Sequence, residues 1–474
     1  MPALFVDAGA LFFAHPHLPV NRLAAAKVTA RGIARAMATM GVQGIGVSPY
    51  DLAAGADFLQ QLATENKLPL LSANLVQANP HPARRTNRED DRAPGFHGKD
   101  RQLLFAPYRI VNIGGTRVAL IGLTGPLPAP TDSITLRPWQ DVLPQILDEI
   151  HSKSDLIILL SSLPRQANQE IANKYTTIHI LIQAGQQAGT LAPRNLNNTL
   201  LCQTGAKGKY LGILDIRWNA SREWAKQAQQ NPEALQRRLD RVLWQLQRVE
   251  KRHQQQELAN NSYYKRLVEE KKRLEHTLAE LKKTSTGQGV RLCTFKNTFL
   301  AMETSLPEDS TVRAIVDQTR KEVNLLNREQ QKKQRLTNEI INRTFVQMAG
   351  EERCAECHPS QAAFYRRTDH ARAWQTLTMR DQQYNPDCIA CHATLPEYTE
   401  TIRTNEALLT SLPARFYNVG CEACHGPSLA HANDPDAVLP SAPSAMTCKQ
   451  CHTAQRDPQF NFREKKTKIE CPAG

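Results

Sequence analysis

Residues 418–431 read NVGCEACHGPSLAH, and the heart of that stretch, Cys421-Glu422-Ala423-Cys424-His425, decides how the last quarter of the chain is read. The spacing returns three times: Cys354 and Cys357 before His358, Cys388 and Cys391 before His392, and Cys448 and Cys451 before His452. Eight of the 11 cysteines fall in these pairs, leaving Cys202, Cys293 and Cys471. A disulfide framework has no reason to repeat one spacing with a histidine after every pair. Two zinc sites built from the four pairs would use the thiolates but would not need the adjacent histidines. Covalent haem uses all three residues. Cysteines three positions apart form thioethers to the two vinyl groups of one macrocycle, and the next histidine presents its imidazole to the iron. The pattern predicts four haem c groups, with His358, His392, His425 and His452 as proximal ligands.

Sixth ligands are harder to read. Beyond residue 342 the only further histidines are His370 and His431, each a few residues past a haem motif. Both are expected as distal ligands. The other two haems are left open: five-coordinate, ligated by Met379 or Met446, or served by a residue from the N-terminal region. Some 120 residues cannot wall off four macrocycles separately, so the haems are expected to pack on one another. Ligand identity, burial and nearby charge would then set their potentials.

The segment NVGCEACHGP with His431 after it, and the Thr368-Asp369-His370-Ala371-Arg372-Ala373 segment, resemble the multihaem cytochrome c family that includes the tetrahaem electron acceptor of hydroxylamine oxidation. The resemblance covers about residues 350–474. It implies that His431 serves the haem on His358 and that His370 serves the haem on His425.

Upstream, Leu235, Leu239, Val242, Leu246 and Val249, then Leu267, Leu274, Leu278 and Leu281, recur at helical spacing among charged residues. This predicts two amphipathic helices with coiled-coil spacing, turning near Asn260–Ser262. A further helix is expected over 310–347.

Residues 1–219 alternate apolar strand-sized runs with helical ones: strands at 4–6, 42–47, 68–73, 108–113, 116–123, 155–160, 179–183 and 209–217, and helices at 21–40, 51–65 and 166–174. Residues 80–101, rich in proline and arginine, read as a surface loop. The expected fold is an α/β layered sandwich over 1–219, a helical hairpin and linker over 220–345, and a mostly α/coil multihaem domain over 346–474.

The stretches VDAGALF (6–12), PLLSANL (69–75), RIVNIGGTRVALIGLTGP (109–126), DLIILLSS (155–162) and GKYLGILD (208–215) resemble the metallophosphatase domain of bacterial 5′-nucleotidases. That resemblance implies a site for two metal ions. The expected ligand positions hold Ala10, Ser48, Ser162, Gly185 and Gln187 instead, and the first Asp-x-His would lie before Met1. Asp7 and Asp51 remain, but neutral side chains cannot replace carboxylates and imidazoles around such ions. The domain is expected to be a catalytically dead scaffold.

The net charge of +13 is concentrated in helices where acidic residues alternate with basic ones, and no nucleic-acid motif accompanies it. No apolar run approaches the ~18 residues of a membrane span. Residues 1–13 lack the basic start of a secretory leader, whereas haem c is attached outside the cytoplasm. A periplasmic or extracellular protein is expected, its leader missing from the sequence. The leading expectation is an electron carrier between redox protein partners, with no catalytic residues of its own. A haem-dependent reductase or oxidase of a small nitrogen or sulfur compound is the alternative, and a redox-linked phosphohydrolase the lesser one. Docking or self-association through residues 220–284 is a further expectation.

Overall fold

Val118–Leu123 and Leu156–Ser161 carry apolar residues without a break, the pattern of strands covered on both faces. They form the centre of a six-stranded sheet. In chain order the strands are β1 (Val6–Asp7), β2 (Gly44–Gly46), β3 (Leu70–Leu71), β4 (Leu75–Gln77), β5 (Tyr108–Ile113), β6 (Thr116–Leu123), β7 (Ile134–Leu136), β8 (Leu156–Ser161), β9 (Ile180–Gln183), β10 (Leu191–Leu196), β11 (Thr199–Gln203), β12 (Tyr210–Arg217) and β13 (Thr294–Ala301). The computed structural model describes residues 2–78, 102–129, 133–184, 189–225, 232–250, 261–286, 292–303, 305–334, 336–453, 456–457 and 459–472.

The large sheet has the order β10-β11-β9-β8-β6-β5. Its centre is parallel, and each edge is an antiparallel hairpin. Both hairpins turn on two residues with positive φ, Gly114-Gly115 and Asn197-Asn198, the conformation that matches strand twist. A second, parallel sheet has the order β1-β2-β3.

Helices α1 (Val20–Thr39), α2 (Ala56–Asn66) and α4 (Arg165–Lys174) fall on the expected helical runs, whereas α3 (Trp139–Ile150) is a helix the sequence reading did not include. One face of the large sheet buries Ile121 and Leu159 against Val142, Leu143 and Ile146 of α3. The other face buries Leu120 and Leu160 with Ala8, Trp224 and Phe295. The result is the expected layered α/β sandwich.

Helices α5 (Pro232–Glu250) and α6 (Ser262–Thr286) pair through Leu239, Val242, Leu246, Leu267, Leu274 and Leu278. They run antiparallel, since Arg238 bonds Glu270 while Tyr264 bonds Glu250. Asn261 caps α6 by accepting from the Tyr263 and Tyr264 amides.

Several expected strands are shorter or displaced, as 4–6 is to Val6–Asp7 and 68–73 is to Leu70–Leu71, and two helices differ. The helix expected from residue 51 starts at Ala56, after Gly55 at φ 95°. The helix expected over 310–347 is two: α7 (Ser310–Gln334) and a short one at Asn338–Thr344, which Thr337 caps through the Ile340 amide. The loop expected at 80–101 lies outside the described residues.

The chain divides into two compact units, residues 1–18 with 37–308 and residues 19–36 with 309–474. In the second, α1 lies so close to α7 that a Cβ on Gly32 would stand 2.3 Å from Thr319 Oγ1. Asn21 donates to Glu406 at 2.6 Å, and Arg22 pairs with Glu406 and with Asp387. Among the described residues no helix is long and apolar enough to cross a membrane.

Candidate functional site

Beyond α7 the second unit continues in short helices, and the four Cys-x-x-Cys-His motifs sit on or beside them. The first ends the helix Glu351–Cys357, with His358 as its cap, the second lies in Pro386–His392, and the third is Cys421–His425. The fourth leaves the helix Ala445–Lys449 in a turn. Their starts are fixed locally. Asn385 accepts from the Asp387 amide ahead of the second motif, and Ser444 and Thr447 form a capping box ahead of the fourth.

A core of Phe345, Ile389, Leu395, Leu408, Leu412 and Phe416 supports these helices, with the Phe345 and Phe416 rings stacked 4.6 Å apart. Glu422, inside the third motif, is 4% exposed. Its carboxylate accepts from the amides of Ala349 (2.8 Å), Gly350 (2.9 Å) and Ser428 (2.9 Å). It thereby ties the third motif to the residues that lead into the first. The motifs group in space: the Cys354 and Cys421 thiols lie close enough to perturb one another's ionisation, as do those of Cys391 and Cys451.

The histidines show what the site can hold. Nδ1 of His392 lies 2.8 Å from the Ala373 carbonyl, that of His425 3.1 Å from the Ser441 carbonyl, and that of His431 2.6 Å from the Val438 carbonyl. Nδ1 of His452 lies 2.9 Å from Asp457 Oδ2. A carbonyl can only accept, so each of the first three Nδ1 atoms carries the proton and each Nε2 keeps its lone pair. That is the tautomer of an imidazole bound to a metal through Nε2.

Two histidine pairs face one another. The His358 and His431 ring centroids are 6.1 Å apart at 21°, and those of His370 and His452 are 6.1 Å apart at 63°. Two imidazoles on opposite sides of one metal, each bonded at about 2 Å, place their centroids roughly 6 Å apart. Burial, then the nearby His452, holds the His370 imidazole below its ordinary pKa, in the neutral form a ligand requires. The first pair is the one implied by the resemblance. The second is not: the resemblance assigns His370 to the haem on His425, and the ring His370 faces is that of His452. Met379 and Met446 are 78% and 74% exposed.

Sequence reading missed the groups that orient these rings. Asp457 stands five residues beyond His452, a faint signal. The carbonyls of Ala373, Ser441 and Val438 leave none, because any residue supplies a carbonyl.

In the first unit, three positions where the resemblance puts metal ligands converge. The Ala10 amide donates to Ser48 Oγ at 2.8 Å, and Ser48 and Ser162 line one cleft of about 250 Å³ with Tyr50 and Pro126. Gly185 and Gln187 lie outside the described residues. The Asp51 carboxylate is occupied by the chain itself. It accepts from the amides of Ala10, Leu11, Phe12 and Ser48 and from the Ser48 hydroxyl, all within 2.7–3.0 Å. Burial pushes the Asp7 carboxyl up to about 6, against the Gly9 amide that donates to it and with the added repulsion of Asp51.

Comparison with known proteins matches both parts of the chain separately. Residues 353–426 match the family model described as cytochrome c554 and c-prime. Cytochrome c-554 of Nitrosomonas europaea is 30% identical over 95 residues, with 16% of this chain and 37% of that protein covered. The chain thus spans little more than a third of the length of that relative. The 5′-nucleotidase precursor of Thermus thermophilus aligns at 20% identity and TM-score 0.36, covering 47% of this chain and 43% of that one. The calcineurin-like phosphoesterase YfkN of Bacillus subtilis aligns at 13% identity and TM-score 0.39, covering 68% and 83%. By motif, by histidine placement and by family match, the segment of residues 353–426 is similar to the cytochrome c554 and c-prime family.

Proposed function

We propose that this chain is a periplasmic or extracellular electron-transfer protein carrying four covalent haem c groups in residues 346–474. The observation that carries the reading is the state of the histidines. The Nδ1 atoms of His392, His425, His431 and His452 are each held by an acceptor, and two histidine pairs stand at 6.1 Å. These residues fit the haem that the motifs imply.

Cys354 and Cys357, Cys388 and Cys391, Cys421 and Cys424, and Cys448 and Cys451 would form the thioethers. His358, His392, His425 and His452 would ligate iron on the proximal side, with His431 opposite His358 and His370 opposite His452. Bound haem supplies one-electron exchange between ferric and ferrous iron. The chain's own part is to fix the His392, His425, His431 and His452 imidazoles by their Nδ1 partners and to bring the first motif beside the third and the second beside the fourth.

Residues 1–219 serve as a phosphatase-shaped scaffold without hydrolytic activity, because Ala10, Ser48 and Ser162 offer no anionic or imidazole ligand. Residues 220–345 join it to the haem domain and offer the α5–α6 hairpin to redox partners. A second reading, reduction of a small nitrogen or sulfur compound at an open iron, is favoured at His392 and His425. Among the described residues neither has a histidine ring paired with it.

Mass measurement of the denatured protein tests the main reading: the chain of 53.1 kDa should be heavier by four haems, about 0.6 kDa each. A bare-chain mass with bound zinc overturns it. A high-spin signal shifted by nitrite or hydroxylamine selects the second reading, and its absence the first.

A further inference from the structure

His452 differs from His392 and His425 in what holds its Nδ1. His392 and His425 meet neutral backbone carbonyls, whereas His452 meets the Asp457 carboxylate at 2.9 Å. A carbonyl only steadies the ring. A carboxylate also draws the Nδ1 proton toward itself, which makes Nε2 a stronger donor to a metal. A stronger donor and a nearby negative charge both favour ferric over ferrous iron. The arrangement is held on several sides. The amides of Arg456 and Asp457 both donate to the Thr453 carbonyl, at 2.9 and 2.8 Å. Phe460 stacks on the His452 ring at 4.8 Å and 23°.

The second motif has a cation beside it instead: Arg403 Nη2 lies 3.5 Å from Cys391 Sγ. Positive charge there favours the reduced iron. The thiols of Cys391 and Cys451 perturb one another, so the second and fourth motifs are neighbours.

We propose that Asp457 lowers the reduction potential of the haem on His452 while Arg403 raises that of the haem on His392. An electron then moves downhill from the fourth motif to the second. The proposal rests on the haem reading above. One electron enters from a redox partner protein and passes between the two sites; no covalent bond forms or breaks, and the Nδ1 proton stays in its bond to Asp457. Asp457 acts through His452 and is a positioning residue.

The test is a potentiometric titration of the full haem-loaded chain, followed optically and by spin resonance. His370→Ala identifies the haem on His452, because that haem alone should turn high-spin. Asp457→Asn should raise the potential of the same haem, with a tenfold change in its ferrous-to-ferric ratio at fixed poise, about 59 mV for one electron. Asp457→Glu should restore it, and Arg403→Gln should lower the potential of a different haem. If Asp457→Asn fails to retain haem, Asp457→Ser is titrated instead with the same expected direction. Four haems by mass with all potentials unshifted overturn this inference alone. A chain without covalent haem overturns the haem reading and this inference together.

Discussion

The imidazoles of His358 and His431, 73 positions apart in the chain, lie with ring centroids 6.1 Å apart and planes 21° from parallel. His431 is held from behind by the Val438 carbonyl at its Nδ1. A ring so anchored loses little rotamer freedom on binding a metal, so the pair is pre-organised.

Replacing His431 by Ala should convert one haem from low to high spin and leave four haems attached, because the thioethers do not depend on the sixth ligand. His370→Ala should do the same at another haem. Spin-resonance spectra of the two variants should lose different low-spin signals, and unchanged spectra in both would reject the distal assignment.

Glu422→Ala should destabilise the second unit by about 3 kcal/mol, since three buried amides lose their acceptor together. Glu422→Gln should cost less, because its carbonyl oxygen still accepts. Chemical denaturation of the haem-loaded protein, read by tryptophan fluorescence and by Soret absorbance, measures both. Equal stability of the Ala variant would show that the carboxylate does not anchor the third motif.

Asp7 sets a pH dependence of known sign. Its folded pKa of about 6 exceeds the ordinary 3.8, so the folded state binds the extra proton between those values. The stability it contributes is therefore full below about pH 4 and is lost as pH rises through about 6. Asp7→Asn keeps an oxygen for the Gly9 amide and removes the charge. It should stabilise the first unit at pH 7 by about 2–3 kcal/mol and flatten the profile between pH 4 and 6. Thermal melts across that range decide the matter, and a variant less stable than the parent at pH 7 would reverse the assignment.

Hydrolysis of 5′-nucleotides and of a generic phosphomonoester should stay at background with manganese, zinc or calcium added. A dimetal hydrolase needs several anionic or imidazole ligands around each ion, and Asp51 already satisfies five donors of its own chain. Metal-dependent turnover abolished by Asp7→Ala would overturn the scaffold reading.

Much of this protein was legible in its residues alone. The four Cys-x-x-Cys-His spacings are local chemistry, and unbroken apolar runs such as Val118–Leu123 announce strands buried on both faces. Helix ends were less legible. Thr337 caps a new helix where periodicity continued, because a side chain bonded to a nearby amide outweighs a weak propensity.

The sequence by itself determined where the four Cys-x-x-Cys-His spacings lie and that Ala10, Ser48 and Ser162 stand where the resemblance would put metal ligands, since both depend on residue type along the chain. Only the tertiary structure decided which histidine faces which. His370 lies beside His452 and His431 beside His358, a placement set by packing among short helices that leaves no periodic trace. The same holds for Asp51 beneath residues 10–12: a hydrogen bond between segments depends on where the fold brings the chain, and no local pattern encodes that.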